Sequence, residues 1–484
     1  MLKCGNQNFT KILPNIQKSL KDIFNAYPEI PEIIKIIESE GGRAYFVGGT
    51  VRDVLISKDI TDIDIEVHYL SLETLSNILA QFGAVNYVGK AFGILKLNNS
   101  KVDWALPRTD SPGRKPIVTI DPFLDIVEAL RRRDLTINAI AIDLISFDLI
   151  DPFNGAADLQ NKILRSPDSA FFAEDPLRFY RVMQFIARFE VYPDEELNKI
   201  CATMDISKVS IERIETEFKK MFLKSCNPSL GIRWLDKIER LKEILPVLYE
   251  TKFTEQDPIW HPEGFVFEHL MQTLDATAPM VSSSAFAQND DEKLILMYAG
   301  LFHDLGKIST TIFSKGRIRS PGHAEVGAPL AKSMLKKITR NNHIIDSVGL
   351  LVKYHMLPGQ FIKSDSSLAA YRRLALKLKG HTNLRMLSFL TLADRRGRNE
   401  KSHQPLTDDF DYVHQFREKS KEAGVFESSQ EPILKGKDIS DLINPGVQMG
   451  ELLKYAYKLQ ISQGILDKDK LRKRVIQKLG KRDN

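Results

Sequence analysis

The pattern of apolar and polar positions changes once along the chain. Between residues 43 and 150, short β-type runs such as RAYFV, IDIEVHYL, GILKLN and KVDWAL alternate with helical segments. From about residue 160, apolar positions recur at the three- and four-residue spacing of amphipathic helices, as in DPLRFYRVMQFIARF and GAPLAKSMLKKI. The pattern predicts an α+β fold class, with a small head built on a mixed sheet and an all-α body after it.

Composition narrows the class of protein. The chain has 484 residues, of which 43% are hydrophobic and 27% charged, the balance of a globular protein of several domains. Its net charge of +5 permits nucleic-acid binding without requiring it. Three widely separated cysteines (Cys4, Cys201 and Cys226), with no CxxC motif, indicate neither a disulfide framework nor a thiolate zinc site. The absence of a long apolar run or a signal-peptide pattern predicts a cytoplasmic protein with no membrane partner.

Acidic residues alternate with apolar ones in the run ITDIDIEV. Side chains alternate along a strand, so Asp62, Asp64 and Glu66 share one face. An exposed edge strand with acidic gatekeepers would show the same pattern. The preceding Gly48–Gly49 turn and Arg52 favour a Mg²⁺ and phosphate site, because Mg²⁺ takes oxygen ligands and a glycine turn lets backbone N–H groups approach a phosphate.

Two further segments carry candidate site residues. In KVDWALPR, strand alternation places Asp103 opposite its apolar neighbours, as a possible third carboxylate. In AEDPLRFYR, helical spacing places Asp175, Arg178 and Arg181 on one face, as either a surface ion pair or a base-reading set with an acceptor and a bidentate donor fork.

Several motifs, taken in order, resemble one enzyme family. GGTVRD followed by DIDIE resembles nucleotidyltransferases of the polymerase-β type. RRRDLTINAIAID (131–143), DPFNGAADLQNKILR (151–165) and AEDPLRFYRVMQFIARF (173–189) resemble the class II tRNA nucleotidyltransferases, the CCA-adding enzymes, to which bacterial poly(A) polymerases are closely related. The resemblance covers most of residues 40–250. It implies template-independent addition of CCA to tRNA 3′ ends, with CTP and ATP as substrates and pyrophosphate as product.

The resemblance also implies roles for individual residues of the head. It implies that Asp62 and Asp64 bind Mg²⁺ and that Gly49 and Arg52 hold the incoming triphosphate. In RRRD and the residues after it, Arg132 would contact the nucleotide and Asp134 its ribose, with Asn138 nearby.

The base-reading residues implied by the resemblance lie in EDPLRFYR. Asp175 and Arg178 would face the Watson–Crick edge of the incoming base, Glu174 would orient Arg178, and Arg181 would reach the phosphates. One departure concerns the segment SPGRKPIVTIDP, where many relatives carry a glycine-rich stretch with an aromatic residue. In the family this loop helps to switch the pocket from C to A, which leaves addition of only part of CCA as an alternative.

A second constellation consists of histidines and aspartates on successive predicted helices. Four of the ten histidines belong to it, and imidazole with carboxylate suits Mn²⁺, Ni²⁺, Co²⁺ or Mg²⁺. The motif HDLGK and the order of the set resemble the HD phosphohydrolase superfamily. This resemblance implies a metal core with a second metal or phosphate site beside it. The core would be His269, His303, Asp304 and Asp394, with His323 and His355 at the second position.

The sequence therefore predicts a metal-dependent tRNA nucleotidyltransferase with an HD domain that hydrolyses 2′,3′-cyclic phosphates or phosphomonoesters. The predicted domains are a head (1–160), a helical neck and body (161–250), an HD domain (251–400) and a helical tail (401–484) that contacts tRNA. No DNA partner is expected, and the sequence carries no indication of oligomeric state. The alternatives are a poly(A) polymerase, a partial CC- or A-adding enzyme, an HD phosphohydrolase with a regulatory nucleotide-binding head, and an RNA-binding scaffold with both sites inactive.

Overall fold

The structure, a computed structural model, describes residues 13–58, 60, 62–88, 93–110, 118–283, 286 and 289–480. Residues 111–117, which include most of the unusual loop segment, lie outside the described residues. The chain divides into two compact units, Met1–Ser210 and Ile211–Asn484. None of the helices in the described ranges has the length and apolar character needed to cross a membrane.

The first unit is built on a seven-stranded sheet, counted over the described residues. The strands of this unit, in chain order, are β1 (Arg43–Val47), β2 (Ile63–His68), β3 (Val85–Tyr87), β4 (Ile94–Leu97), β5 (Val102–Ala105), β6 (Arg108–Asp110), β7 (Val118–Ile120), β8 (Ala141–Asp143), β9 (Leu149–Ile150), β10 (Ile163–Leu164) and β11 (Tyr192–Pro193). The sheet order is β3-β4-β5-β2-β1-β8-β9. Within it β2 and β5 run parallel and the other neighbours run antiparallel, which confirms the predicted mixed sheet.

Helices cover the sheet and continue beyond it to the end of the first unit. They are α1 (Leu13–Ala26), α2 (Glu29–Ser39), α3 (Gly49–Leu55), α4 (Leu72–Ala80), α5 (Ile126–Arg131), α6 (Gly155–Gln160), α7 (Ser169–Ala173), α8 (Leu177–Phe189) and α9 (Glu195–Thr203), with a 3₁₀ turn at Thr136–Asn138. The isoleucines that alternate with the acids of β2 are buried with Phe46 and Trp104 in the core of the head. The alternation predicted from the sequence therefore separates the apolar core from the acidic face.

The end of α2 shows how local sequence sets an element boundary. Gly41 adopts a left-handed φ of 82°, which glycine tolerates at no steric cost. The N–H of Gly42 donates to the carbonyl of Ile37 at 2.8 Å, and the N–H of Gly41 donates to that of Glu38 at 3.0 Å. These are the two bonds of a Schellman motif. The prediction that this helix ends at its glycines is confirmed.

The second unit is almost entirely helical. Its helices are α10 (Ile211–Lys224), α11 (Ser229–Lys237), α12 (Leu241–Ile244), α13 (Pro246–Glu250), α14 (Val266–Ser282), α15 (Asp290–Phe302), α16 (Lys307–Thr310), α17 (His323–Leu335), α18 (Asn342–Tyr354), α19 (Leu357–Lys363), α20 (Leu368–Leu378), α21 (Leu384–Arg396), α22 (Asp411–Glu422), α23 (Val447–Gln463) and α24 (Lys468–Leu479). Two short strands, β12 (Ile312–Ser314) and β13 (Arg317–Arg319), form a hairpin after α16. Helices α14 and α15 are buried on most sides, which is why their apolar residues follow no single stripe. The tail helices α23 and α24 close a separate small core.

Gly155 provides a test of the packing that supports the head. A Cβ atom at this position would lie 2.0 Å from the backbone carbonyl oxygen of Thr136, which belongs to the neighbouring 3₁₀ turn. We expect Gly155→Ala to lower the free energy of unfolding by ~3 kcal/mol, because backbone must shift to accommodate the methyl group. Gly450→Ala is the control, because Gly450 lies in α23 with open space around it. Denaturant unfolding of both variants measures the difference. Equal stability of the two would contradict the close approach.

Candidate active sites

A glycine turn connects β1 to α3 and lies against the start of β2. Gly48 has a left-handed φ of 62°, and a Cβ atom there would lie 2.9 Å from Nη1 of Arg133. Thr50 fixes the helix to the strand, because its Oγ1 accepts the backbone N–H of Asp64 at 2.8 Å. A Cβ atom on Gly49 would lie 4.0 Å from the Asp64 carboxylate. The two glycines therefore leave the backbone open beside that carboxylate.

The carboxylates of β2 and β5 face the same cavity. Parallel pairing brings Asp64 and Asp103 into register as neighbours, and both line a cavity of 270 Å³. Asp62 precedes β2 and is exposed. Burial raises the pKa of Asp64; the charges of Asp103 and Asp62 act in the same direction, and Arg133 opposes them. An acid crowded by other acids in this way fits a cation site.

Glu66, the third acid of the run, has a different environment. It is buried, with Oε2 at 2.9 Å from Nη2 of Arg133 and Oε1 at 3.1 Å from Nε2 of His68. Although burial opposes ionisation, these two partners hold the pKa of Glu66 below its usual value. Glu66 thus positions Arg133 beside the glycine turn and Asp64, and it has no free oxygen pair to offer a metal.

A chain of polar side chains links α3 to α8. Nη1 of Arg52 donates to Oδ1 of Asn138 at 2.6 Å, and Nδ2 of Asn138 donates to Oδ1 of Asp134 at 2.9 Å. Nε of Arg181 donates to the other Asp134 oxygen at 2.5 Å. The Arg52 guanidinium also lies over the Phe189 ring, 4.5 Å from its centre. Four predicted nucleotide-binding residues therefore form one continuous network, in which the buried carboxylate is fully paired.

Two predicted nucleotide-binding arginines meet on an aromatic ring. The guanidinium carbon of Arg178 lies 4.2 Å from the centre of the Phe171 ring, and that of Arg132 lies 4.5 Å from it. Nη1 of Arg178 donates to the carbonyl of Phe171 at 2.7 Å, and Nη2 donates to that of Arg132 at 3.3 Å. Burial lowers the pKa of Arg178. The ring and two backbone carbonyls thus fix the plane of the Arg178 fork.

The two acids before α8 differ from the predicted helical arrangement. The helix begins at Leu177 after Pro176, so Asp175 lies outside it, and the Asp175 carboxylate accepts the backbone N–H of Leu177 at 3.0 Å. Proline favours the first turn of a helix, where its missing N–H costs nothing, and this sets the boundary. Glu174 is exposed at the end of α7. Its charge acts on Arg178 through space, since the hydrogen bonds of that guanidinium go to backbone carbonyls.

In the second unit, four histidines present the same ring nitrogen to a common centre. Each Nδ1 lies within hydrogen-bond distance of an acceptor, so each Nδ1 carries the proton and each Nε2 is left as a ligand atom. The acceptors are Oε1 of Glu263 at 2.8 Å for His269, and the carbonyls of Gly300, Ser320 and Val352 at 3.1, 2.7 and 2.7 Å for His303, His323 and His355.

Asp304 lies between two pairs of these histidines. Its Oδ2 is 3.6 Å from Nε2 of His269 and 3.4 Å from Nε2 of His303. Its Oδ1 is 3.2 Å from Nε2 of His323 and 3.6 Å from Nε2 of His355. Within each pair the two Nε2 atoms are 3.2 Å apart. Imidazole nitrogens this close to each other and to one carboxylate form a donor set that fits a cation.

Charged partners surround this centre. Asp394 Oδ1 lies 3.2 Å from Nε2 of His269 and 2.6 Å from Nη2 of Arg398, and Lys307 Nζ lies 2.7 Å from Asp304 Oδ2. Burial opposes ionisation of both aspartates, but Lys307 holds the pKa of Asp304 well below its usual value, and Arg398 does the same for Asp394. Burial also disfavours a charged His269, yet Asp394 and Glu263 raise its pKa to about 9. The acids thus favour a positive charge at that position, which a proton or a metal can supply.

Residues of the loop before α14 contact the groups that surround Asp304. Nδ1 of His261 lies 2.9 Å from Oε1 of Glu263, and Nε2 of the same ring lies 3.3 Å from Nζ of Lys307. Lys307 also donates to Oε1 of Gln256 at 2.7 Å. Burial and Lys307 lower the pKa of His261 to about 3, so the ring stays neutral at physiological pH. The loop therefore holds Lys307 and the His269 ring in place.

Comparisons with known proteins place both sites in one family. Residues 44–165 match the poly(A) polymerase head domain, and residues 266–396 match the HD domain. The multifunctional CCA protein of Tolumonas auensis is 32% identical over 326 residues, which are 65% of this chain and 75% of that protein. That of Halorhodospira halophila is 30% identical over 390 residues, 75% of this chain and 86% of its own length. The chain belongs to the multifunctional CCA protein family.

The fold of this CCA protein family member is similar to that of several solved structures. A CCA-adding enzyme in apo form II is 20% identical with a TM-score of 0.64, covering 96% of this chain and 98% of that one. The Thermotoga maritima CCA-adding enzyme complexed with tRNA is 19% identical with a TM-score of 0.58, covering 97% and 98%. The Bacillus stearothermophilus enzyme in complex with CTP is 17% identical with a TM-score of 0.62, covering 94% and 98%. At these identities the likeness concerns the fold alone.

In this family member the structure brings together every predicted ligand of the HD centre, and Asp64 with Asp103 in the head. Sequence reasoning missed Phe171, Glu263, His261 and Lys307. A signal was present for Lys307, which ends the HDLGK motif three residues after Asp304 and so lies on the same side of a helical turn. His261 and Glu263 lie in a loop, and Phe171 lies in the five-residue helix α7, which is too short for a periodic pattern to mark which way a side chain points.

Proposed function

We propose that this CCA protein family member completes tRNA 3′ ends by adding CCA from CTP and ATP without a template. The observation that carries the proposal is the in-register pairing of Asp64 with Asp103 beside the open glycine turn. Relatives of the chain are named multifunctional CCA proteins, and solved neighbours hold tRNA, CTP or ATP. The tRNA 3′-hydroxyl attacks the α-phosphate, and pyrophosphate leaves.

The head and the HD domain both imply dependence on divalent metal ions. In the head we assign Mg²⁺ to Asp62 and Asp64, with Asp103 as a third carboxylate, because an oxygen-only set suits a hard cation. When bound, Mg²⁺ neutralises charge on the triphosphate and activates the attacking hydroxyl. The raised pKa of Asp64 supports this assignment, since burial and the neighbouring acids Asp103 and Asp62 disfavour its negative charge and a cation would offset that cost.

Roles for the remaining head residues follow from their contacts. Backbone N–H groups at Gly49 and the Arg52 guanidinium receive the triphosphate, and the Asp134–Asn138 pair meets the ribose while holding Arg52 and Arg181 in place. At the base, the nucleotide-reading set combines a fixed donor fork with an acceptor, supported by the Phe171 ring. Asp175 and Arg178 face the base edge, and Glu174 acts on Arg178. Arg132 contacts the nucleotide, and Arg181 reaches the phosphates.

For the HD domain we propose hydrolysis of 2′,3′-cyclic phosphates or phosphomonoesters. The nitrogen-rich set suits Ni²⁺, Mn²⁺ or Co²⁺, held by His269, His303 and Asp394 on one side of Asp304 and by His323 and His355 on the other. When bound, the metal supplies a nucleophilic water at neutral pH. Lys307 and Arg398, close to the two aspartates, provide positive charge for the phosphate oxygens.

We also propose a separate function for each of the four predicted domains. Residues 1–160 carry the transfer chemistry, 161–250 read the base and contact tRNA, 251–400 form the hydrolase, and 401–484 contact tRNA. Contact between the tail and tRNA is supported by the last helix, α24. Its basic sequence KDKLRKRVIQKL offers cations to RNA phosphates.

The head assignment predicts loss of nucleotide addition on removing either of the first two carboxylates. Asp62→Ala or Asp64→Ala should lower the rate on the order of a thousandfold or more, since each removes charge stabilisation from the transition state. The assay incubates tRNA lacking its 3′ end with CTP, ATP or both, and reads the products on a sequencing gel. Asp148→Ala, at an exposed turn, is the control. Near-normal addition by either first variant would refute the metal assignment, and addition of only C or only A by the unaltered protein would restrict the activity to part of CCA.

The base-reading assignment predicts a loss of selectivity that exceeds the loss of affinity. Asp175→Ala and Arg178→Ala should incorporate wrong nucleotides more often, because a base-edge pairing rejects the wrong partner by leaving polar groups unpaired. Arg178→Lys keeps the charge and loses the planar fork, so it should also lose selectivity while keeping triphosphate affinity. Single-nucleotide incorporation with each triphosphate, together with binding titrations, measures both quantities. If the variants still selected CTP and ATP strictly but no longer bound triphosphate, this region would bind the phosphates and not the base.

The two sites share no ligand, so their activities should separate. Asp304→Ala should abolish hydrolysis of 2′,3′-cyclic nucleotides and leave CCA addition nearly unchanged, because it removes the residue between both histidine pairs. Ni²⁺ or Mn²⁺ should stimulate hydrolysis alone. Asp346→Ala is the control for both assays, because Asp346 of α18 forms a half-exposed ion pair with Lys332 of α17. If Asp304→Ala ended nucleotide addition in a protein that still folds, the histidine centre would belong to the transferase.

A further inference from the structure

The cavity beside the HD centre is lined by both polar and apolar side chains. It measures 380 Å³, and its polar lining includes Asp304, Lys307, His323 and His355. Trp260, Ile318 and Met356 are its apolar lining. Trp260 is 55% exposed and Met356 40% exposed, so these apolar side chains are open to solvent. A phosphate group alone would contact the polar residues and leave the apolar side chains uncovered.

Trp260 differs from the other tryptophans of the chain. Trp104 and Trp234, the other two, are 1% and 5% exposed and belong to hydrophobic cores. A large aromatic side chain normally contributes to stability by burial, and an open one beside a polar site indicates a binding role.

The loop that carries Trp260 is held by several hydrogen bonds. The N–H groups of Trp260 and His261 donate to the carbonyl of Asp257 at 3.1 and 2.8 Å, and that of Ile259 donates to its Oδ1 at 3.0 Å. Arg398, the partner of a metal ligand, donates to the carbonyl of Trp260 at 3.5 Å. The indole is thus presented from a fixed loop that is joined to the metal centre.

The hairpin of β12 and β13 extends the apolar side. Ile318 of the cavity wall pairs across the hairpin with Phe313, which is 77% exposed, and cross-strand partners project to the same face. Arg319 lines the cavity beside them. Aromatic and aliphatic surface next to cationic side chains matches a nucleoside phosphate, whose base stacks while its phosphate is neutralised.

We propose that Trp260 is the base-stacking residue of the HD site and determines how strongly this site prefers phosphoesters that carry a nucleobase. The inference rests on the proposed hydrolase function and adds to it the side of the substrate away from the phosphate. The base lies against Trp260, Ile318 and Met356, and the phosphate lies against Lys307 and the other polar residues of the cavity. A free nucleotide and the last nucleotide of an RNA strand share this chemistry.

The kinetic test compares adenosine 2′,3′-cyclic phosphate with an abasic ribose 2′,3′-cyclic phosphate. Trp260→Ala should raise KM for the adenosine compound on the order of tenfold, with kcat nearly unchanged, because it removes a stacking contact. Values for the abasic compound should not change. Trp260→Phe, which keeps a ring, should restore most of the affinity. Ile259→Ala is the matched control, since Ile259 is 70% exposed on the same loop and does not line the cavity.

A binding test without turnover separates this inference from the hydrolase proposal. In the presence of EDTA, titration with adenosine 2′,3′-cyclic phosphate should quench tryptophan fluorescence in the unaltered protein but not in Trp260→Phe. Quenching that persists in Trp260→Phe, or its absence from the unaltered protein, would overturn the inference whether or not hydrolysis occurs. Quenching in EDTA, combined with no hydrolysis of the same compound when Ni²⁺ or Mn²⁺ is supplied, would support base binding and contradict the hydrolase proposal. A dinucleotide that ends in the same cyclic phosphate is the second ligand, and tighter binding of it would assign the surface to RNA ends.

Discussion

The balance of charge among closely packed ligand groups is the constraint on which both units depend. In the head, Asp64 is partly buried with two other acids nearby. In the second unit, four imidazole nitrogens converge on one carboxylate. Cationic side chains of the protein lie beside these groups and offset part of their charge, and a bound metal would complete the balance. Arg133 serves this purpose in the head, and Lys307 with Arg398 in the second unit.

The same constraint explains why the supporting residues are as specifically placed as the ligands. Glu66 is paired with Arg133 and His68, so the guanidinium is held beside Asp64 and not drawn onto it. Glu263 fixes the proton on Nδ1 of His269 and thereby leaves the other nitrogen for a metal. In both cases a buried acid pairs with a neighbouring group and sets its orientation.

Much of this arrangement could be predicted from the sequence, because it depends on periodicity and on order along the chain. The mixed sheet, the helical body and the helix end at Gly41 follow from local patterns, and the comparisons confirm the family that the motifs resemble. The pairing of Asp64 with Asp103 could be anticipated only as a third carboxylate, since strand register is a property of the whole sheet. Asp175 was expected on the helix, but the proline after it starts the helix later. Phe171 and Glu263 could not be found, because a five-residue helix and a loop carry no periodic signal.

Gly306 of the HDLGK motif has a consequence for how the second centre responds as a whole. A Cβ atom at Gly306 would lie 2.0 Å from the backbone carbonyl of His323, so the turn after Asp304 touches the first residue of α17 backbone to backbone. No side chain lies between them to absorb a displacement. The turn that carries Asp304 and the turn that carries His323 are therefore packed backbone against backbone. A displacement of either turn has to be accommodated by the other, which links the positions of the two ligands.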